Sequence, residues 1–178
     1  MNSSNRIFID QYFSQTEVGI FSLGFRITFV FIIIITSLRL AYNPVYFRLA
    51  AMDDQKEAVS KISAYNQYYL IISILMCFII SFFSRELIGV FLNKNYFNAW
   101  IILSLLTYSN LFLESSSIFR MALYQNKSTF SITVVVIIIA GISLLLNWIL
   151  ISKWGMYGAA YSSIISSIIL FYSFYFVS

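Results

Sequence analysis

The chain has 178 residues, 60% hydrophobic and 10% charged, against about 45–50% and about 25% in soluble domains. With a mean hydropathy of +0.84, a water-soluble globular domain is excluded, because one core of this size cannot hide that much apolar surface. No histidine is present and Cys77 is the single cysteine, which excludes a disulfide framework, a cysteine-based metal site and the commonest general base. The 11 Lys and Arg outnumber the 7 Asp and Glu, yet they stand singly between apolar runs, without the basic stripe that follows a nucleic-acid backbone.

Residues 1–17 are too polar for a signal peptide, which needs a basic stretch and then an apolar one. Ile7, Phe8, Ile9, Tyr12 and Phe13 read as the tail of an earlier helix or as an interfacial segment, so an N-terminally incomplete chain is expected. Span A is expected over 18–43. Its charge-free centre, 27–38, is bracketed by Arg26 and Arg39. Pro44 is expected to end it, since proline drives the preceding residue out of helical geometry.

Arg48, Asp53, Asp54, Lys56, Glu57 and Lys61 form a mixed-charge loop, read as a short amphipathic helix on the membrane. Its aspartate pair lacks a third acid at ligand spacing, histidine or a glycine loop, so a metal or nucleotide-sugar site is not supported. Spans B and C follow over 64–84 and 95–119, the latter running through Glu114. Spans D and E cover 128–152 and 154–178. At about 1.5 Å per residue, such runs cross the roughly 30 Å of hydrocarbon in a bilayer.

Only Lys153-Trp154-Gly155-Met156 separates D from E, which predicts a tight antiparallel hairpin. Gly158, Ser162 and Ser166 recur every four residues in span E, with Ala159, Ser163 and Ser167 beside them. Such a ridge lets helices approach closely in lipid. It reads as helix packing, with a dimerisation face as the alternative. The expected fold is an all-α polytopic membrane bundle of about five transmembrane helices. Six cations fall on one side (Arg39, Arg48, Lys56, Lys61, Arg120, Lys127) and four on the other (Arg6, Arg85, Lys94, Lys153). That count puts the 44–61 and 120–127 loops in the cytoplasm.

An arginine in a span costs about 2.5–3.5 kcal/mol on insertion scales, so Arg26 demands a reason. Ser22, Arg26 and Ser37 share a helical face, with Arg39 about 140° away. Arg26 is therefore expected to face a water-filled interior, or else to anchor at the headgroups, while Arg39 is expected to snorkel outward. On span C, Thr107, Asn110, Glu114 and Ser117 share another face. Glu114 reads as a lumen residue that pairs with an arginine or exchanges a proton, or as a structural partner of Arg26, Arg120 or Lys127. The second reading is preferred, because Arg120 and Lys127 follow so soon. Asn147 reads as an interhelical hydrogen bond.

Asn5-Arg6-Ile7-Phe8-Ile9, with Val18-Gly19-Ile20-Phe21-Ser22-Leu23-Gly24-Phe25-Arg26-Ile27, resembles the junction between the halves of the polysaccharide flippases. These are the O-antigen and capsule-unit (Wzx-type) exporters of the multidrug/oligosaccharidyl-lipid/polysaccharide superfamily. Tyr42-Asn43-Pro44 resembles the family's aromatic-x-Pro at a helix end. Ser84-Arg85-Glu86-Leu87-Ile88 with Tyr96-Phe97-Asn98-Ala99 is similar to its short loop before the next helix. Asn147 with Trp154-Gly155-Met156-Tyr157-Gly158-Ala159-Ala160 is similar to its asparagine and its Gly-x-x-Gly-Ala-Ala hairpin. Asn5 and Tyr42 depart from the aspartate and tryptophan frequent there.

The resemblance implies most of the second of two pseudo-symmetric bundles, in a bacterial inner membrane. The partners it implies are a polyprenyl-pyrophosphate-linked oligosaccharide, membrane lipids, and a missing N-terminal half or other polysaccharide-assembly proteins, with no cofactor and no nucleic acid. Arg26 would then hold pyrophosphate oxygens in a bidentate manner, beside the lumen candidates Ser22, Ser37, Asn110 and Glu114. Arg39, Arg120, Lys127 and Asn147 are secondary candidates. A non-transporting remnant or assembly subunit, or a drug-exporting relative, are the alternatives. A membrane enzyme is disfavoured by short loops and by the lack of carboxylate pairs and histidine on the outer side.

Overall fold

The computed structural model describes residues 15–91, 98–125 and 128–178. The 1–14 part of the N-terminal segment, Lys94, Tyr96-Phe97 and Lys127 lie outside the described residues. Among these residues five helices follow in order: α1 Gln15–Ala50, α2 Gln55–Phe82, α3 Ser84–Phe91, α4 Ala99–Gln125 and α5 Thr129–Val177. α5 is not one rod. At Gly155 the backbone takes φ 54 and ψ −132, a left-handed conformation open to glycine at little cost.

There the chain folds back on itself. The Ser162 hydroxyl donates to Asn147 Oδ1, and a methyl on Gly158 would run into the Leu150 carbonyl oxygen. In an unbroken helix residues 150 and 158 would stand about 12 Å apart. α5 is thus the expected hairpin, with arms 129–154 and 156–177, and the described residues make five crossings. One end carries α3 and the Gly155 turn; the other carries the α1–α2 joint at Asp54.

α4 is the centre, packed against α1, α2, α3 and α5. Of its most apolar stretch 56% is buried, against 17% for α2, yet its mean hydropathy there is 1.2 against 2.8 for α5. The most enclosed helix is therefore the least apolar. Its buried positions include Thr107, Ser109, Asn110, Glu114, Ser115, Ser116 and Ser117, whereas Phe29, Ile33, Leu75, Phe78, Ile137 and Leu145 face outward. In water such a surface would be a large sticky patch; in hydrocarbon it is the solvated face. Buried hydroxyls return to their own helix, Thr28 to the Gly24 carbonyl, Ser73 to Tyr69 and Thr107 to Leu103, as a water-free interior requires. Among the described residues four helices are long and apolar enough to cross a membrane, and the chain is a multi-pass, membrane-embedded protein.

Three clusters lock the crossings. Ile20, Phe21, Ile88, Ile102, Ile151 and Met156 fill the Gly155 end. Phe31, Ile35, Tyr69 and Cys77 fill the middle. Leu123, Ile132, Ile139, Leu170 and Phe174 fill the Asp54 end. The ridge of Gly158, Ser162 and Ser166 is buried within the chain. Its neighbour Ser167 meets the Ser109 hydroxyl of α4 at 2.9 Å. The ridge packs this chain's own helices and offers no dimerisation face.

Several expected boundaries move. Pro44 lies inside α1, which continues to Ala50. Proline removes one ladder bond, but Tyr46 and Leu49 beyond it are buried, and the Tyr46 hydroxyl donates to Gln125 Oε1 at 3.2 Å. Tertiary contacts carry the helix past the break. The mixed-charge segment is not a surface helix. The Asp54 carboxylate caps α2, accepting from the Lys56 and Glu57 amides at 3.0 and 3.2 Å, and Glu57 pairs with Lys61 at 2.6 Å one turn on. An N-cap aspartate and an i,i+4 ion pair start the helix at Gln55, well before residue 64. Residues 84–88, expected as loop, open α3, where Ile88 joins the core. α4 runs on to Gln125, so Arg120 belongs to a helix rather than a loop.

Candidate functional site: a cationic cavity between α1 and α4

Two helical stripes face each other near the Asp54 end. α1 contributes Thr36, Arg39, Asn43 and Phe47 at spacings of three and four, and α4 contributes Glu114, Ser117, Arg120 and Tyr124 likewise. Arg39 Nε stands 3.1 Å from Glu114 Oε2. Thr36 donates to Glu114 Oε1 at 3.5 Å, and the Tyr69 hydroxyl of α2 donates to the Glu114 carbonyl at 3.5 Å. The Thr36 contact is at the outer limit of a hydrogen bond and Tyr69 meets the main chain, so the guanidinium is the principal partner of this carboxylate, as an ion pair.

Beyond the pair lies a cavity of about 80 Å³ lined by Arg39, Asn43, Ser117, Arg120 and Tyr124, with Phe47 and Met121. At about 30 Å³ per water, it holds a few waters or one small anionic group. The Arg120 guanidinium sits 5.7 Å from the Phe174 ring centroid, a cation–π contact. Its Nε is buried and, like Asn43 Oδ1 and the ion-paired Arg39 Nε and Glu114 Oε2, has no hydrogen-bond partner among the described residues; unlike those two it has no ion pair there either. Two guanidinium groups meet one carboxylate, so the described site carries one surplus positive charge. Among side chains this buried, that surplus is costly unless an anion offsets it.

The candidate residues separate into two places. Glu114 and the secondary candidates Arg39 and Arg120 come together at the cavity. Arg26 does not. It is exposed near the Gly155 end, beside a groove formed by Ile27, Val30, Ile80 and Leu87, so its surroundings are apolar rather than the polar stripe expected. Ser37 is exposed and Ser22 half-buried. Asn110 donates to the Leu106 carbonyl at 2.8 Å and is used by its own helix. Asn147 accepts from Ser162, the interhelical bond expected of it.

Arg39 was expected to snorkel and instead makes the internal ion pair. Cα–Cβ bonds lean toward a helix's N-terminus, which for α1 is the Gly155 end. Arg26 therefore leans out to the nearer boundary, whereas Arg39 leans inward to Glu114. The sequence signal for this was chain direction, together with Asn43, one turn after Arg39 on the same face.

No family model, curated protein or solved structure matches the chain.

Proposed function

We propose that the chain is the second bundle of a transporter that moves a lipid-linked oligosaccharide across the bacterial inner membrane for surface polysaccharide synthesis. The observation that carries this reading is the surplus guanidinium of Arg120, held beside the Arg39–Glu114 pair in a polar cavity within a membrane-embedded bundle. The motif resemblance to the polysaccharide flippases supports the choice of cargo. A polyprenyl tail stays in lipid while its charged, sugar-bearing head crosses a shielded passage. A pyrophosphate oxygen offered to Arg120 takes up the surplus charge, and Arg39 shares its remaining donors between that oxygen and Glu114. The internal carboxylate competes with the cargo for Arg39, which keeps binding weak enough for release. A drug exporter handling cationic cargo would need the opposite surplus.

The test is complementation of a flippase-deficient strain with this chain alone and together with a supplied N-terminal half. Restoration of surface polysaccharide by both pieces supports a two-bundle transporter; failure of every combination supports a non-transporting assembly subunit. In the complementing context, Arg120→Ala should cut surface polymer about tenfold or more, the worth of one charge-assisted contact, and Arg120→Lys should keep part. Unchanged polymer with alanine would remove the cavity from the transport path.

A further inference from the structure

The groove beside Arg26 is separate from the cavity, since Arg26 and Arg39 lie thirteen positions apart on α1, about 20 Å along its axis. We propose that it is a binding site for one anionic phospholipid of the surrounding bilayer, whose acyl chain lies along Ile27, Val30, Ile80 and Leu87 and whose phosphate is held by Arg26.

The shape fits a chain. Three helices contribute walls: α1 through Ile27 and Val30, α2 through Ile80, and α3 through Leu87, around about 350 Å³. Arg26 is the one charged residue of that lining. The groove opens on the outer face, where Val30 is 56% exposed, so lipid reaches it directly.

The depth fits a headgroup. Phe21 packs with Ile151 and Met156, at the level of the Gly155 turn, where Lys153 and Trp154 are exposed as expected at a headgroup boundary. Arg26 is five residues further along α1, about 7.5 Å deeper. Its Cα–Cβ bond leans back toward that boundary and its side chain lines the groove, so its apolar stem can cover the acyl chain while the guanidinium snorkels to phosphate.

The charge selects the lipid. A guanidinium binds phosphate oxygens as a fork, and a zwitterionic lipid brings an ammonium that competes for the same phosphate. An occupied groove also ties α3, a helix of eight residues, to α1 and α2. This inference does not depend on the cargo proposed above.

The experiment is native mass spectrometry of the purified full chain in detergent, supplied with phosphatidylglycerol or phosphatidylcholine. The wild-type chain should retain one phosphatidylglycerol about tenfold better than phosphatidylcholine, as one lost charge-assisted contact predicts. Arg26→Gln should abolish that preference and Arg26→Lys keep part of it. Ile80→Trp, which fills the groove, should lower retention of both lipids. Circular dichroism confirms that each variant is folded. Equal retention of both lipids by the wild-type chain overturns the proposal, as does unchanged preference in Arg26→Gln. Displacement of phosphatidylglycerol by an equal concentration of polyprenyl phosphate also overturns it, because the groove would then belong to the carrier lipid.

Discussion

Glu114 is the one acid among the residues of α4, and its loss has a calculable consequence. Glu114→Gln leaves Arg39 and Arg120 facing each other across the cavity with no carboxylate between them. Breaking a buried ion pair costs about 3–5 kcal/mol, and an exposed one about 0–1. The Arg39 side chain is 25% exposed and that of Glu114 10%, so a loss of about 1–3 kcal/mol is expected. Unfolding of the purified chain in detergent measures it. The double variant Arg39→Met, Glu114→Leu should recover most of that stability, since both desolvated charges go together. If the double variant is as unstable as Glu114→Gln, the pair is not the origin of the effect.

The same two residues mark how far the sequence could be read. That charges would fall within the long apolar helices was legible from Arg26, Arg39 and Glu114 alone, as was the shared face of Glu114 and Ser117. Their partners were not. A helical wheel discards chain direction, and direction decides which arginine can reach the headgroups. Pro44 reinforced the error by seeming to bring a helix end close to Arg39, when the buried side chains of Tyr46 and Leu49 carry the helix onward.

Among the elements, the α5 hairpin tests local geometry against packing. Gly155→Ala places a Cβ at φ 54 and ψ −132, backbone that side chains rarely adopt, which costs about 1–3 kcal/mol. Gly158→Ala should cost more, because its methyl meets the Leu150 carbonyl and the arms must separate. Asn147→Ala removes the bond to Ser162, and interhelical bonds of this kind average about 0.6 kcal/mol. The predicted order of destabilisation, Gly158→Ala above Gly155→Ala above Asn147→Ala, is read from the same detergent unfolding. An Asn147→Ala loss equal to that of Gly158→Ala would mean that polar contact, not close approach, holds the arms. This hairpin was legible because its signals are local: a glycine at the turn and small residues at fixed spacing. The start of α2 and the existence of α3 were less so, since the Asp54 cap was absorbed into a charged run and α3 is held by tertiary burial of Ile88.

For the whole molecule, five crossings put Lys56 and Lys153 at opposite ends. Orientation is a separate matter. Arg39 and Arg120 are drawn into the bundle, and Arg26 leans to the other boundary. The described cations left at the Asp54 end are then Arg48, Lys56 and Lys61, against Arg26, Arg85 and Lys153 at the Gly155 end, three against three. Counting positive charges among the described residues therefore no longer separates the sides, although it did from sequence. On the transport function proposed above, the cavity does separate them. It lies toward the Asp54 end, and an exporter must accept its anionic head from inside the cell. Cysteines introduced at Lys56 and Lys153 should accordingly label from opposite sides with a membrane-impermeant maleimide, Lys153→Cys in intact cells and Lys56→Cys only after permeabilisation. Cys77 is buried and should stay silent. Labelling of both positions from one side would mean that a helix between them does not cross. The reverse order would keep the five crossings but turn the Arg39–Arg120 cavity to the outside, where it could only receive an anion already delivered.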